Sequence, residues 1–205
     1  MEGMHIDPHE LAPLEAYKIG TSVIVPRPIA WVGSRSQDGV DNLAPFSYFM
    51  GVSTKPPSLA ISVARGRKGA LKDTAANILE TEVFTVSIVS HEFVEAMVAT
   101  SKPLPPEESE FVLSGTTPQD ADLINASRPV EALVSMECSL VHAHDMGTTH
   151  LFVGEVLRYH FRDDVVSLDA KGHRIIDIGR LDPVGRLGSH DYCFVRDIFT
   201  LKPQK

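Results

Sequence analysis

The stretch from Pro26 to Met50, PRPIAWVGSRSQDGVDNLAPFSYFM, limits what this chain can fold into more than any other. It divides into an apolar β-like run, Ile29 to Gly33, a polar turn, Ser34 to Asp41, and a second run, Leu43 to Met50. Asp38-Gly39 lies at the turn centre, and glycine accepts positive φ at little steric cost, so the pattern predicts two antiparallel strands joined there. Pro26 and Pro28 cannot donate to a ladder, which puts a bend or a sheet edge ahead of the hairpin. Arg27, held between the two prolines, has little backbone freedom, and its guanidinium suits an anion or an acidic neighbour. Ser34 and Ser36 fall where one strand ends, while Asn42 and Ser47 flank Ala44-Pro45-Phe46 on the other. Small polar groups beside an aromatic ring suit a flat ligand with a polar tail; an ordinary hairpin with a solvated turn would carry the same residues.

Around this hairpin the chain reads as further strands with a few helices. Residues 1 to 16 are expected to form an irregular N-terminal arm with at most one helical turn, followed by a β-branched run from Ser22 to Val25. Leu59 to Ala64 alternates as a strand. Arg65, Arg67 and Lys68 then precede a segment of helical composition, Lys72 to Leu79. Basic residues and free backbone N–H groups at a helix start make a sensible phosphate site, although a basic run is also simply a solvated face. Val83 to Val89 reads as a buried strand and 91 to 100 as a helix, with His91 and Glu92 in its capping region. A Pro-rich acidic loop, Thr100 to Ser109, follows. Arg128 to Val141 and Leu151 to Phe161 read as two more strands, and 162 to 179 as turns around short strands. Between the longer pair lies HAHDMGTTH. There His142 and His144 share a strand face, which leaves open a transition-metal or haem site, a solvated hairpin, or a ligand-neighbouring role.

At 205 residues the chain suits a single domain spanning 1 to 205. A formal net charge of -8 argues against broad binding to nucleic acid or an anionic membrane, both of which need basic surface. Cys138 and Cys193 stand far apart outside any metal-ligand spacing, as expected of reduced thiols in a cytoplasmic protein. No GxGxxG fingerprint, P-loop or HExxH helix is present.

PRPIAWVGS followed by a DG turn and NLAPFSYFM resembles the flavin reductase-like family, the FMN-binding split-barrel proteins that include flavoredoxin and the reductase components of two-component monooxygenases. PPSLAISVARGRKGALKDTAANI, HLFVGEV and PVGRLGSHDY resemble that family's later blocks, so the likeness runs from about Tyr17 to Tyr192. It implies a mainly antiparallel, Greek-key-like split β-barrel with peripheral helices, holding FMN, or FAD as the alternative nucleotide. By resemblance, Trp31, Gly33 and Ser34 border the flavin ring and tail, and Asn42 and Ala44, Pro45, Phe46 and Ser47 contact ribityl and ring. Arg67, Lys68, Asp73, Thr74 and Asn77 match the block that holds phosphate and ribityl, with Lys68 and Thr74 the phosphate contacts; the match leaves open whether Arg65 or Arg67 faces the ligand. His150 stands beside the ring. The same resemblance implies NADH or NADPH as co-substrate, a homodimer, and a monooxygenase or other redox partner. An electron carrier of the flavoredoxin kind is the alternative.

Overall fold

The computed structural model describes residues 3–202. Helix α1 (Pro13–Val23) comes first, then strands β1 (Arg27–Pro28), β2 (Ala30–Arg35), β3 (Asp41–Phe46), β4 (Phe49–Thr54) and β5 (Pro57–Ala64). Helix α2 (Asp73–Thr81) leads into β6 (Val83–Ile88), α3 (Val94–Ala99) and α4 (Glu110–Ser114). Strands β7 (Pro118–Asp120), β8 (Ser127–Pro129), β9 (Val134–Asp145) and β10 (Thr149–Phe161) follow. The chain closes with β11 (Val166–Leu168), β12 (Arg174–Ile176), α5 (Ile178–Leu181), β13 (Val184–Arg186) and β14 (Tyr192–Phe194).

Seven strands form one antiparallel sheet in the order β3-β2-β6-β9-β10-β5-β4. Side chains alternate across a strand, so β2 sends Ala30 and Val32 to one face and Trp31 and Gly33 to the other. The first face meets Phe46 of β3, Ile61 and Val63 of β5, Phe84 and Val86 of β6, Met136 and Cys138 of β9 and Phe152 of β10 in one buried cluster. Residues from near both ends of the sheet share that cluster, so the sheet curls around it as a barrel. Its end strands β3 and β4 are neighbours in sequence but not in the ladder, which leaves the barrel split. On the second face Trp31 and Leu43 pack with Met97 of α3 and Phe111 of α4.

The Asp-Gly turn is tighter than expected. Ser36 N–H donates to the Val40 carbonyl at 3.0 Å, Gly39 takes φ +85°, and Ser34 pairs with Asn42 within the ladder. The second run breaks after Phe46, and β4 starts afresh at Phe49 to pair with β5. Residues 13 to 16, expected within an irregular arm, instead open the regular helix α1. Pro13 stands at its start, where a missing N–H costs nothing, and the helix extends through Ser22 and Val23 of the expected β-branched run. Met1 and Glu2 of that arm lie outside the described residues. The expected strand from Arg128 to Val141 is really two: β8 ends at Pro129 and pairs with β7 outside the main sheet, and β9 begins at Val134. Helix α4 was not anticipated; five residues are too few to show a helical period.

Candidate functional site

Two open regions flank the β2–β3 hairpin. The first is a cleft of about 310 Å³ lined by Tyr17 and Thr21 of α1, Arg27 and Ile29, Pro45 and Ser47, Met97, Val98 and Ser101, and Arg186, Ser189, His190 and Tyr192. The second is the turn between β5 and α2. There Lys68 sits at φ +57° and Gly69 at +79°, and Lys72 precedes α2 without a side-chain cap, leaving first-turn N–H groups without a side-chain acceptor. Arg67, Lys68 and Lys72 are exposed, and among the described residues none of them takes a salt bridge. Arg65 is engaged, donating to the Gly69 carbonyl at 3.1 Å and the Asp145 carboxylate at 2.8 Å. That division resolves which of Arg65 and Arg67 is free. Asp73 opens the helix and adds a negative charge to its first turn. Phe46 links the two regions: its neighbours Pro45 and Ser47 line the cleft, and Lys72 Nζ lies 5.9 Å from its ring centroid. Ala44 and Phe46 themselves turn toward the barrel core.

Several residues expected at a flavin already have partners within the fold. Trp31 is fully buried, and its indole N–H donates to Thr100 Oγ1 at 2.9 Å, so it props α3 against the sheet and borders no open groove. Gly33 lies beneath β8, where an added Cβ would sit 2.0 Å from the Ser127 carbonyl oxygen. Ser34, Asn42, Thr74 and Asn77 are all buried and bonded to one another. Asn42 Nδ2 donates to Thr74 Oγ1 at 2.9 Å and Ser34 Oγ at 3.2 Å, and Asn77 Nδ2 donates to Ser34 Oγ at 3.1 Å. This network ties α2 to the hairpin. Asn42 and Asn77 border a hollow of about 50 Å³, and Thr74 is 1% exposed, its hydroxyl accepting from Asn42.

Arg27, which lines the cleft, is engaged as well. Its Nη1 donates to the carbonyls of Thr21 and Ile24, Nη2 to Leu187 at 2.9 Å, and Nε to Ser47 Oγ at 3.4 Å. The guanidinium therefore clamps the end of α1 to β3 and to the chain beyond β13, holding carbonyls rather than an anion. Arg186 shapes the opposite wall, over the Tyr192 ring at 4.4 Å and bonded to its hydroxyl and to the Ser189 carbonyl. His150, on β10, is buried and stacked on Phe152, and among the described residues its Nδ1 has no hydrogen-bond partner. His142 and His144 lie on β9 as stacked, exposed rings. The cleft residues of α1, Tyr17 and Thr21, had no assigned role; their i, i+4 spacing is the one signal that could have placed them on a common face.

An antiparallel sheet curled into a split barrel, with a cleft and a basic turn meeting at one hairpin, defines a split-barrel class of protein. The flavin reductase like domain matches residues 22–174, and the chain belongs to that family. It is 39% identical over 176 residues to an uncharacterized protein of Aquifex aeolicus, covering 86% of this chain and 88% of that one. The crystal structure of nitrilotriacetate monooxygenase component B from Bacillus cereus is 35% identical, with a TM-score of 0.89 over 98% of this chain and all (100%) of the other. A split-barrel protein of Shewanella frigidimarina, 22% identical, shares the fold at a TM-score of 0.83, over 98% of this chain and 100% of its own.

Proposed function

We propose that the protein is an FMN-dependent NAD(P)H:flavin oxidoreductase. The observation that carries this reading is the junction at Phe46 between the cleft and the turn bearing Arg67, Lys68 and Lys72. A nucleotide's phosphate suits those free cations and the uncapped start of α2, because charge and helix dipole act together there. The residues fit the group: three uncommitted cations lie at one helix start, and His150 offers an unpartnered ring nitrogen. When bound, the flavin would accept hydride from a reduced nicotinamide nucleotide and pass electrons to oxygen, a monooxygenase or another acceptor. Pro45 and Ser47 would bound the ring edge, and Tyr17, Arg186 and Tyr192 would wall the space where a second planar group stacks. No acid/base pair is needed, since the protein's part is to position and to screen from water. A second copy of the chain would cover β4, whose Met50 and Val52 lie exposed at the sheet edge, in keeping with a cytoplasmic homodimer.

The test is an absorbance spectrum of the purified protein with FMN, followed by NADH or NADPH without air. Rapid bleaching by one nucleotide is the expected result and names the donor. A bound flavin that fails to bleach makes the protein an electron carrier, and no flavin binding removes the assignment.

A further inference from the structure

A second cleft, of about 450 Å³, opens between the β7–β8 arm and the C-terminal end of β10 and shares no lining residue with the first. It concentrates positive charge on an acidic chain: Arg128, Arg158, Arg162 and His160 line it, against Asp122. Most of these groups are already paired. Arg158 holds Asp122 at 2.6 Å and Arg162 holds Asp164 at 3.0 Å. His160 meets the buried Glu137 carboxylate at 2.6 Å, and that carboxylate also accepts the N–H groups of Asp122 and Leu123 at 2.9 and 2.8 Å. Asp122, Glu137 and His160 are close enough to share a cation, but the Glu137 oxygens already have these donors. Arg128 is the exception. Among the described residues its guanidinium has no ion pair, and its Nε is buried without a partner. Burial pulls it below the usual arginine range, against the opposing pull of Asp122 and Glu137.

The backbone beneath it is fixed. Arg128 pairs with Gln119 in the β7–β8 ladder, and the neighbouring Ser127 carbonyl accepts the Thr85 hydroxyl at 2.7 Å. A half-buried guanidinium on a fixed backbone, with an unmet Nε, is a fork awaiting a planar acceptor, because leaving a buried donor unbonded is costly. The negative charges of Asp122 and Glu137, which act on Arg128, disfavour a doubly charged ligand more than a monoanion. Tyr159, half exposed and stacked on Phe161 with centroids 5.9 Å apart, provides a flat apolar wall. We propose that this cleft binds a small planar organic carboxylate, gripped by the Arg128 fork, at a site separate from the flavin region.

The experiment is titration of the purified protein with benzoate, followed by calorimetry and by the ¹⁵N side-chain resonances of arginine. Saturable binding that shifts one Nε–H resonance is expected, and that resonance is missing from the Arg128→Lys spectrum. Affinity should fall about tenfold or more in Arg128→Ala and several-fold in Arg128→Lys, which keeps the charge but loses the fork. It should stay unchanged in Lys68→Ala. No saturable binding overturns the proposal, as does equal affinity in Arg128→Lys, or loss of binding in Lys68→Ala, which would place benzoate at the basic turn. Competition by inorganic phosphate at equal strength would overturn the choice of a planar monoanion.

Discussion

Trp31 and Gly33 stand two residues apart on one face of β2, and both are fixed by what lies directly above them. Replacing Trp31 by Phe removes the donor to Thr100 and part of the packing with Met97 and Phe111; a loss of about 1–3 kcal/mol in denaturant unfolding is expected. Gly33→Ala drives a methyl into the Ser127 carbonyl and within 2.5 Å of Thr85 Oγ1, so about 2–4 kcal/mol of destabilisation should appear in the same assay. Two buried carboxylates respond to pH in opposite directions. Burial raises Glu110, outweighing the Leu43 N–H it accepts at 3.1 Å. Its native form holds the proton longer than the unfolded chain, so stability falls as pH rises from the ordinary carboxylate value through the raised one. Glu110→Gln keeps an acceptor and should raise stability at pH 7, by about 1.4 kcal/mol for each unit of displacement removed, seen as a higher melting temperature. Burial also pushes Glu137 up, but the Asp122 N–H, His160 and the Leu123 N–H outweigh it and leave it low. Its stabilisation is complete above the ordinary carboxylate value and lost as pH falls through the lowered one. Glu137→Gln should therefore flatten the acid limb of a pH–stability curve.

The hairpin and α2 behave as one element because the Ser34–Asn42–Thr74–Asn77 network joins them. Thr74→Val removes one of the two acceptors of the buried Asn42 amide, leaving that N–H without a partner, and should cost about 1–3 kcal/mol of stability. Lys68→Ala and Lys72→Ala should leave stability within about 0.5 kcal/mol, as expected of exposed groups, while weakening FMN binding about tenfold or more. Isothermal titration beside thermal melts separates the two effects. A Thr74→Val protein of full stability with weakened flavin binding would return Thr74 to the phosphate. The network also explains why these four polar residues read as ligand contacts. Small hydroxyls and amides beside a glycine-rich hairpin look alike in one dimension whether they face a ligand or each other.

Across the whole molecule, Arg27 joins segments that are distant in the chain, donating to the Leu187 carbonyl 160 residues away. Arg27→Met should loosen α1 from β3 and from the chain after β13, seen as faster hydrogen exchange at Thr21 and Leu187 before any loss of the sheet. Much of the architecture was legible. The Asp38-Gly39 turn, the alternation of 59 to 64 and the long runs around HAHDMGTTH are local patterns, set by backbone φ and by the period of a pleated strand. So was the basic turn before α2, since free cations and a helix start lie within a few residues. The helix over 13–23 was hidden by its β-branched end, and the split of the Arg128–Val141 run by an arm whose partner is another short strand. That the second face of β2 is covered as well was decided only when α3, α4 and β8 packed onto it. That placement buried Trp31 and Gly33 and moved the cleft to Pro45 and Ser47. A strand's sequence fixes that its side chains alternate; it does not fix which side will be covered, because the cover comes from residues 50 to 100 positions away, and long-range packing decides where they land.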